Sequence, residues 1–401
     1  MRRAWWALAA VLALVVALWF VRTPMTATDD AEPSVATGVS NAEFATASGG
    51  AMALEVPAMS QVLMEHAADE IELCGGLWVK TKPDGNIDED DFSLVVRLPE
   101  ARARLLDELR ADPSEFARAA TIRLGLVGGE SPLVSSADML ARMGSTTQDP
   151  QVYALAFNLC AGRPNEGTCQ LLSAEQWARL DPGNAAPWAF ALARAVATRD
   201  ISAQNEALHR IATSQRSELY YFALPGLVLE HVPSDDASIP AALTLAVEAI
   251  GVEAASVIPG YEAMTRLCKG GALRDANRRE TCNAVAELLV ARSDTLLQRM
   301  MGVSIGAQLG WPVERIERLR GEYTAYSEAL DAANTLMPTS GCASIRRDLE
   351  TVKRRARLGE SGALREWVVQ SGKGPEDFIR TERETQARRA AASASAASAP
   401  R

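Results

Sequence analysis

The chain has 401 residues, of which 51 are acidic and 41 are basic, and its formal net charge is −10. This charge argues against a general nucleic-acid binder, because such proteins present basic surfaces to phosphate groups. Aromatic residues make up only 5% of the chain, and its abundant alanine favours closely packed helices over sheets.

The chain begins with an uninterrupted apolar segment at residues 4–21, preceded by Arg2 and Arg3 and followed by Arg22. At about 1.5 Å per residue, a helix of this length just crosses the hydrocarbon core of a bilayer. A cleaved secretory signal, the alternative, has a shorter apolar region and a small-x-small cleavage motif. We therefore predict a retained membrane anchor at residues 1–22. Either way the protein is exported, and we expect a single-pass inner (cytoplasmic) membrane protein with a periplasmic or other extracytoplasmic body.

The anchor is followed by a segment without any apolar period. Residues 23–53 are rich in Thr, Ala, Ser, Gly and Asp, which predicts a flexible linker. Residues 54–111 form the N-terminal part of the predicted helical domain and contain a possible small hairpin. Its strands would be residues 77–80 and 92–96, on either side of the turn-forming residues 83–86. A long loop is the alternative.

A bulky aromatic residue recurs near the start of successive candidate helices. It appears as Phe116, Tyr153, Trp188 and Tyr221, at intervals of 37, 35 and 33 residues. A fixed period of about 20 to 50 residues is the signature of stacked repeats. Small residues follow these aromatics and would let antiparallel helices approach closely. We predict that the aromatics pack between helices, close to a partner-facing surface, and that Trp188→Ala costs about 3 to 5 kcal/mol.

Residues 181–188, Asp-Pro-Gly-Asn-Ala-Ala-Pro-Trp, resemble the junction between two tetratricopeptide-type repeats. In that family the tryptophan position fills the groove between paired helices, and stacked repeats form a curved surface that binds peptides or protein partners. The resemblance covers about residues 112–230, so residues 112–240 are assigned to repeats of this type. The family's small residue after the first-helix leucine is missing, because Leu192 follows Ala191. A non-repetitive helical bundle is the alternative.

The C-terminal region, residues 241–385, is predicted to be helical and shows no sequence repeat. The apolar pattern predicts helices at residues 284–309, 313–337, 344–358 and 364–369, the first ended by Gly310-Trp311-Pro312. Residues 346–389 are modestly basic, which indicates a solvated helical face or, alternatively, a contact with anionic lipid. Residues 386–401 are an Ala/Ser-rich tail that we expect to be disordered.

Six cysteines are present: Cys74, Cys160, Cys169, Cys268, Cys282 and Cys342. An even number in an exported protein predicts disulfide bonds, for which fifteen connectivities are possible. Proximity in sequence favours Cys160–Cys169 and Cys268–Cys282, which leaves Cys74–Cys342. Each short bridge should contribute about 2 to 3 kcal/mol. Free buried thiols are the alternative, and no cysteine pair has the short spacing of a structural zinc site.

Three motifs resemble functional sites but lack part of what each site needs. Residues 302–306 match G-x-S-x-G, yet the serine-hydrolase motif requires a strand before the serine, and here the helical pattern continues. Residues 84–91 resemble the opening of a calcium loop, but Glu89 and Val95 replace the required Gly and Glu. His66 lacks enough histidine partners for a metal site. No catalytic residue, metal or cofactor is predicted.

These observations predict an all-α fold, with helical hairpins stacked as an irregular repeat array or a bundle behind an N-terminal transmembrane helix. The predicted function is non-catalytic: a membrane-anchored, extracytoplasmic scaffold that presents a helical surface to one or more unidentified protein partners. Two alternatives remain open. One is a small-ligand-binding or enzymatic helical bundle of the cell envelope, and the other is a structural envelope protein that self-associates.

Overall fold

Alanine-rich, amphipathic segments form helices along nearly the whole described part of the computed structural model. It describes residues 69–82, 87–125, 133–233, 235–335 and 342–398. The α-helices are α1 (Glu89–Val95), α2 (Leu98–Ala111), α3 (Glu115–Gly125), α4 (Leu133–Thr146), α5 (Pro150–Cys160), α6 (Ala174–Leu180), α7 (Ala186–Ala197), α8 (Ile201–Ala212), α9 (Ala223–His231), α10 (Ile239–Ala254), α11 (Tyr261–Leu267), α12 (Ala276–Arg292), α13 (Leu296–Leu309), α14 (Val313–Thr335), α15 (Cys342–Gln370) and α16 (Pro375–Ser398). The all-α prediction is confirmed at this level.

The described strands form one short antiparallel hairpin. Its strands are β1 (Glu70–Glu72) and β2 (Trp78–Lys80), joined through a 3₁₀ turn at Cys74–Gly76. The sequence predicted residues 92–96 as the second strand, and this was wrong. The Asp88 side chain accepts hydrogen bonds from the backbone N–H groups of Asp90 and Asp91, so it starts helix α1 at that point instead.

Capping side chains set the start of several helices. Asp149 caps α5 with Pro150 in the first turn, a combination typical of helix starts. The predicted single helix over residues 284–309 was wrong, because α12 and α13 are separate. Thr295 begins α13 with a capping box, in which its hydroxyl accepts from the Gln298 N–H and the Gln298 side chain accepts from the Thr295 N–H.

The glycines of the G-x-S-x-G motif lie in the interior of α13. A methyl group on Gly302 would lie 2.8 Å from the Ala286 carbonyl oxygen of α12. These small residues therefore allow α12 and α13 to cross closely, and no strand precedes the serine.

Neighbouring helices pack pairwise, chiefly α4 with α5, α7 with α8, α9 with α10 and α12 with α13. Three larger apolar clusters hold them together: α2, α3, α9 and α10 with α15; α7, α8, α11, α12 and α13; and α4, α5 and α6. The fully buried Trp177 lies in the third cluster, 5.6 Å from Phe157 between ring centroids. Residues 69–389 form one compact unit.

All six cysteines are paired. Cys160–Cys169 joins the end of α5 to the 3₁₀ turn Gly167–Leu171, and Cys268–Cys282 joins the end of α11 to α12. Cys74–Cys342 links the β-hairpin to the first residue of α15 across 268 positions of sequence. Proximity in sequence favours the two short pairs, and Cys74–Cys342 is the pair that this choice leaves.

The four recurring aromatics do not occupy equivalent places. Tyr153 is fully buried, with its hydroxyl donating to the Ser173 carbonyl oxygen at 3.0 Å, so it belongs to the core. Phe116 and Trp188 are half-buried in the first turns of α3 and α7. Tyr221 precedes α9 and lies outside any helix, contrary to its predicted place one turn into one.

We expect Trp188→Ala to lower the free energy of unfolding by about 2 kcal/mol, less than its sequence predicts. The ring is half-buried against the second apolar cluster, with the Arg210 guanidinium 5.6 Å from its centroid. Urea unfolding of the full-length chain measures the change. Arg210→Ala is the matched control, because it removes the cation–π contact and leaves the ring in place. An unchanged stability in Trp188→Ala would show that Trp188 has no packing role.

The predicted anchor at residues 1–22 and linker at residues 23–53 lie outside the described residues. Among the helices that are described, none combines the length and apolar character needed to cross a bilayer. The tail expected to be disordered from residue 386 instead continues α16 as far as Ser398, since its alanines favour helix. The two helices predicted at residues 344–358 and 364–369 meet without a loop in α15, where the backbone of Gly359 is not helical and marks the kink between them.

Candidate functional site

The connector between α8 and α9, residues 217–222, crosses the interior of the protein without helical structure. Tyr220 and Phe222 have φ angles of 58° and 76°, in the left-handed region that non-glycine residues rarely adopt. Each such residue costs about 1 to 3 kcal/mol unless its surroundings enforce it. The connector is therefore a strained segment that neighbouring groups must hold in place.

Two buried carboxyl groups hold the connector through its backbone. The Leu219 N–H donates to Asp294 Oδ2 at 2.8 Å. The Phe222 and Leu224 N–H groups donate to the two oxygens of Glu253, at 2.6 and 3.0 Å. Asp294 comes from the break between α12 and α13, and Glu253 from the last turn of α10, so the connector is held on two sides.

Burial dominates the electrostatics of both carboxyls. It raises the pKa of Glu253 to about 8, against the opposing effect of its two backbone N–H donors. It also raises the pKa of Asp294 to about 8, against the Leu219 N–H. Arg123 lies near Glu253, and burial lowers its pKa to about 10. At neutral pH both carboxyls are therefore largely protonated within the core.

The segment that follows α6, Asp181 to Asn184, fixes the other end of the connector. Asn184 is fully buried, and its Oδ1 accepts from the Glu218 N–H at 2.9 Å while its Nδ2 donates to the Glu218 carbonyl oxygen at 2.8 Å. Asp181 accepts from the Tyr220 hydroxyl at 2.7 Å and pairs with Arg216. Asp181 and Asn184 of the Asp-Pro-Gly-Asn sequence thus hold the segment that leads into α9 through hydrogen bonds.

Helix α15 is positioned by the same break that holds the connector. Gly359 has φ 68° and ψ 168°, a conformation essentially confined to glycine, and a methyl group there would lie 2.7 Å from the Asp294 carbonyl oxygen. Just beyond it, the Ser361 N–H donates to that oxygen at 3.1 Å. The kink therefore brings the first half of α15 alongside α9.

A groove lies between α9 and the first half of α15, and we call it the α9–α15 groove. Its main cavity, about 550 Å³, is lined by Phe116, Gln151, Phe222, Ala223, Gly226, Leu227, Leu229, Glu230, Lys353, Ala356 and Arg357. A cavity of about 280 Å³ adjoins it, sharing Leu229 and Lys353. A smaller cavity of about 30 Å³ shares Phe116 and Ala223 and has the Glu253 carboxyl in its wall. The main cavity is within the size range of binding sites, about 300 to 1,000 Å³.

Comparison of the chain with protein-family models, curated proteins and solved structures finds no match. The proposal for function below is therefore based on the fold and the groove.

The groove offers apolar surface, three exposed cations on Arg346, Lys353 and Arg357, and two carboxylates on Glu230 and Glu350. None of the residues lining it is a histidine, serine or cysteine except Ser256 in the smallest cavity. His231 lies at the end of α9, where its Nε2 is 2.9 Å from Asp112 Oδ2. Within the described residues, no group of three or more His, Cys, Asp and Glu side chains is placed to hold a metal ion.

Sequence reasoning found the groove only in part. Phe116 lines it and Tyr221 lines its smallest cavity, whereas Trp188 packs elsewhere and Tyr153 is buried. Glu253 and Asp294 were missed, because no motif distinguishes them from the other acidic residues of the chain. Lys353 and Arg357 lay in the segment noted only as modestly basic.

Proposed function

We propose that this protein is a non-catalytic scaffold that binds a segment of a protein partner in the α9–α15 groove. The observation that carries the proposal is the row of adjoining cavities beside α9 and α15. The two larger ones, about 550 and 280 Å³, share Leu229 of α9 and Lys353 of α15, so they lie next to each other along the two helices. An elongated site of this form suits a chain more than a compact ligand.

The rigidity of the walls supports binding without a large rearrangement. Helix α9 is held at its start by Glu253 and Asp294 through the connector, and α15 is tied at its start by the Cys74–Cys342 bridge. Preformed walls reduce the ordering cost that a partner must offset. In the sequence-based proposal the scaffold is anchored in the membrane and exposes its helical domain on the extracytoplasmic side.

Photocrosslinking in living cells tests this proposal. A benzophenone amino acid replaces Glu230, an exposed residue at the groove, or Val247, an exposed residue of α10 that serves as the control position. We expect one discrete polypeptide adduct from position 230, none from position 247, and loss of the adduct when Ala356→Trp fills the groove. A synthetic peptide of the crosslinked segment should then bind the full-length chain and not the Ala356→Trp variant.

Other outcomes assign the protein differently. An adduct that forms equally at both positions, or that survives Ala356→Trp, overturns the groove as the binding site. An adduct with a second copy of this chain supports the self-associating alternative. The thermal midpoint of Ala356→Trp, compared with that of the parent chain, separates a blocked groove from a misfolded domain.

A further inference from the structure

We infer that the segment bound in the α9–α15 groove is an extended, acidic polypeptide whose carboxylates pair with Lys353 and Arg357 while its apolar side chains lie on α9. This inference rests on the proposed function and adds the chemistry of the partner. It follows from three properties of the groove: the sign of its charge, the nature of its floor and its length.

The α15 wall is basic in a chain that is acidic overall. Residues 342–358 contain six basic and two acidic residues, a net charge of +4, whereas the whole chain carries −10. Arg346, Lys353 and Arg357 all line the groove, since spacings of seven and four residues place them on one face of the helix. Glu230 of α9 and Glu350 of α15 also line the groove, so its two larger cavities carry three basic and two acidic side chains. The excess of basic residues lies on the α15 wall, and an acidic segment complements that wall.

The groove cations remain available to a partner. The Lys353 side chain is 45% exposed and pairs with Glu350, itself 65% exposed, at 2.9 Å. Arg357 is 67% exposed, and its nearest carboxylate, on Glu366, is 3.7 Å away. Exposed ion pairs of this kind contribute little to stability, so a partner carboxylate can replace them at little cost.

The floor of the groove is apolar and supplies the second half of the recognition. Phe116, Phe222, Leu227 and Leu229 face the main cavity, and Gln151 lies beside them. Apolar side chains placed there would leave water, while the basic wall stays at the solvent edge. Burial of apolar side chains beside an ionic rim distinguishes this site from a purely electrostatic patch.

The length of the groove sets the size of the segment. Helix α9 has nine residues, which is about 13 Å at 1.5 Å per residue. An extended chain rises about 3.3 Å per residue, so α9 alone accommodates about four residues of the partner. The second cavity continues beyond the end of α9, past Val232 and Pro233, and extends the site further.

Selection from a random library of twelve-residue peptides displayed on phage tests the inference with the full-length chain. Peptides enriched on the parent chain should carry net negative charge and apolar residues. The charge-reversal variant Lys353→Glu/Arg357→Glu should enrich peptides that are more positive by at least two charges. The matched control, Arg266→Glu/Arg347→Glu, makes the same change in net charge at exposed residues outside the groove and should select the parent's peptides.

Affinities measured by fluorescence anisotropy complete the test. The most enriched acidic peptide should bind the Lys353→Glu/Arg357→Glu variant at least tenfold more weakly than the parent, and the control variant within twofold of the parent. Its affinity should also fall as salt is added, because ions screen the exposed charges.

The failures of the two proposals are distinguishable. Enriched peptides without a charge bias, lost in Ala356→Trp, overturn the acidic partner and leave the groove as a peptide site. If no peptide is enriched on the parent chain relative to the Ala356→Trp variant, both the acidic partner and the groove as a peptide site are overturned. Displacement of the acidic peptide by soluble dihexanoyl-phosphatidylglycerol, at a lower concentration than the unlabelled peptide requires, assigns the basic wall to lipid headgroups and overturns the polypeptide partner.

Discussion

Removing the Cys74–Cys342 bridge in a Cys74→Ser/Cys342→Ser variant should lower the free energy of unfolding by about 5 kcal/mol. The two bridged cysteines are 268 positions apart in sequence. The entropy that a cross-link removes from the unfolded chain grows with the logarithm of loop length. Cys74 is also fully buried beside Leu73 and Val79 in the first apolar cluster. Urea unfolding of the full-length variant measures the change.

The short bridge between Cys160 and Cys169 is the matched control. Its sequence separation is 9 residues, and the same entropic argument gives about 3 kcal/mol for the Cys160→Ser/Cys169→Ser variant. Both variants replace two cysteines by serines, so they differ mainly in loop length. A larger loss from the short bridge than from the long one would contradict the entropic origin of the stabilisation.

The long bridge also matters for the groove, because it holds the first residue of α15. Farther along, the same helix is fixed at Gly359, whose backbone packs on the Asp294 carbonyl. The basic wall of the groove lies between these two attachment points. We therefore expect the Cys74→Ser/Cys342→Ser variant to weaken peptide binding even under conditions in which it stays folded.

Local signals in the sequence predicted local structure well. Asp149-Pro150 marked the start of α5, Gly310 the end of α13, and the closest cysteines in sequence formed the two short bridges. The helix break near residue 294 carried a signal too, since Thr295-Leu296-Leu297-Gln298 forms a capping box. It was missed because the apolar stripe continues through the break and favoured one long helix.

The groove could not be predicted in the same way, because its walls come from α3, α5, α9 and α15. No local pattern reports that α15 lies beside α9. The hairpin failed for a related reason: β1 supplied a partner for Trp78–Lys80, while Asp88 capped a helix over the segment proposed as the second strand. Tertiary contacts determine both the groove and the strand pairing, and these contacts cannot be predicted from local propensity alone.

Raising the pH from 6 to 8 should lower the free energy of unfolding by about 2 kcal/mol for one buried carboxyl, and by more for two. Burial raises the pKa of both Glu253 and Asp294 to about 8, above the values of about 4 in an unfolded chain. The folded state therefore holds more protons than the unfolded state. This stabilisation is complete below about pH 4 and is lost as the pH rises through 8.

The groups around the two carboxyls do not reverse this sign. Neighbouring acids raise the pKa of both carboxyls further: Asp294 raises that of Glu253, and Glu218 raises that of Asp294. Arg123 opposes the effect at Glu253, but the loss of hydration outweighs it. The carboxyls whose pKa values are lowered, such as Asp112 and Asp377, are already ionised above pH 6.

Two isosteric variants separate the contributions. Asp294→Asn keeps an oxygen for the Leu219 N–H and removes the titration, so its stability should match the parent near pH 6 and exceed it at pH 9. Glu253→Gln keeps one acceptor for two backbone donors, at Phe222 and Leu224. It should therefore cost about 1 to 3 kcal/mol at pH 6 while its slope with pH becomes shallower.

Urea unfolding at pH 6, 7, 8 and 9 provides the measurement, with the double variant Glu253→Gln/Asp294→Asn as the reference. Its stability should change least with pH, because neither carboxyl remains to lose a proton. If the parent and the double variant show the same pH dependence, the connector is held by ionised carboxylates throughout. The Glu253 and Asp294 protons would then have no part in fixing α9, and the floor of the groove would not loosen at alkaline pH.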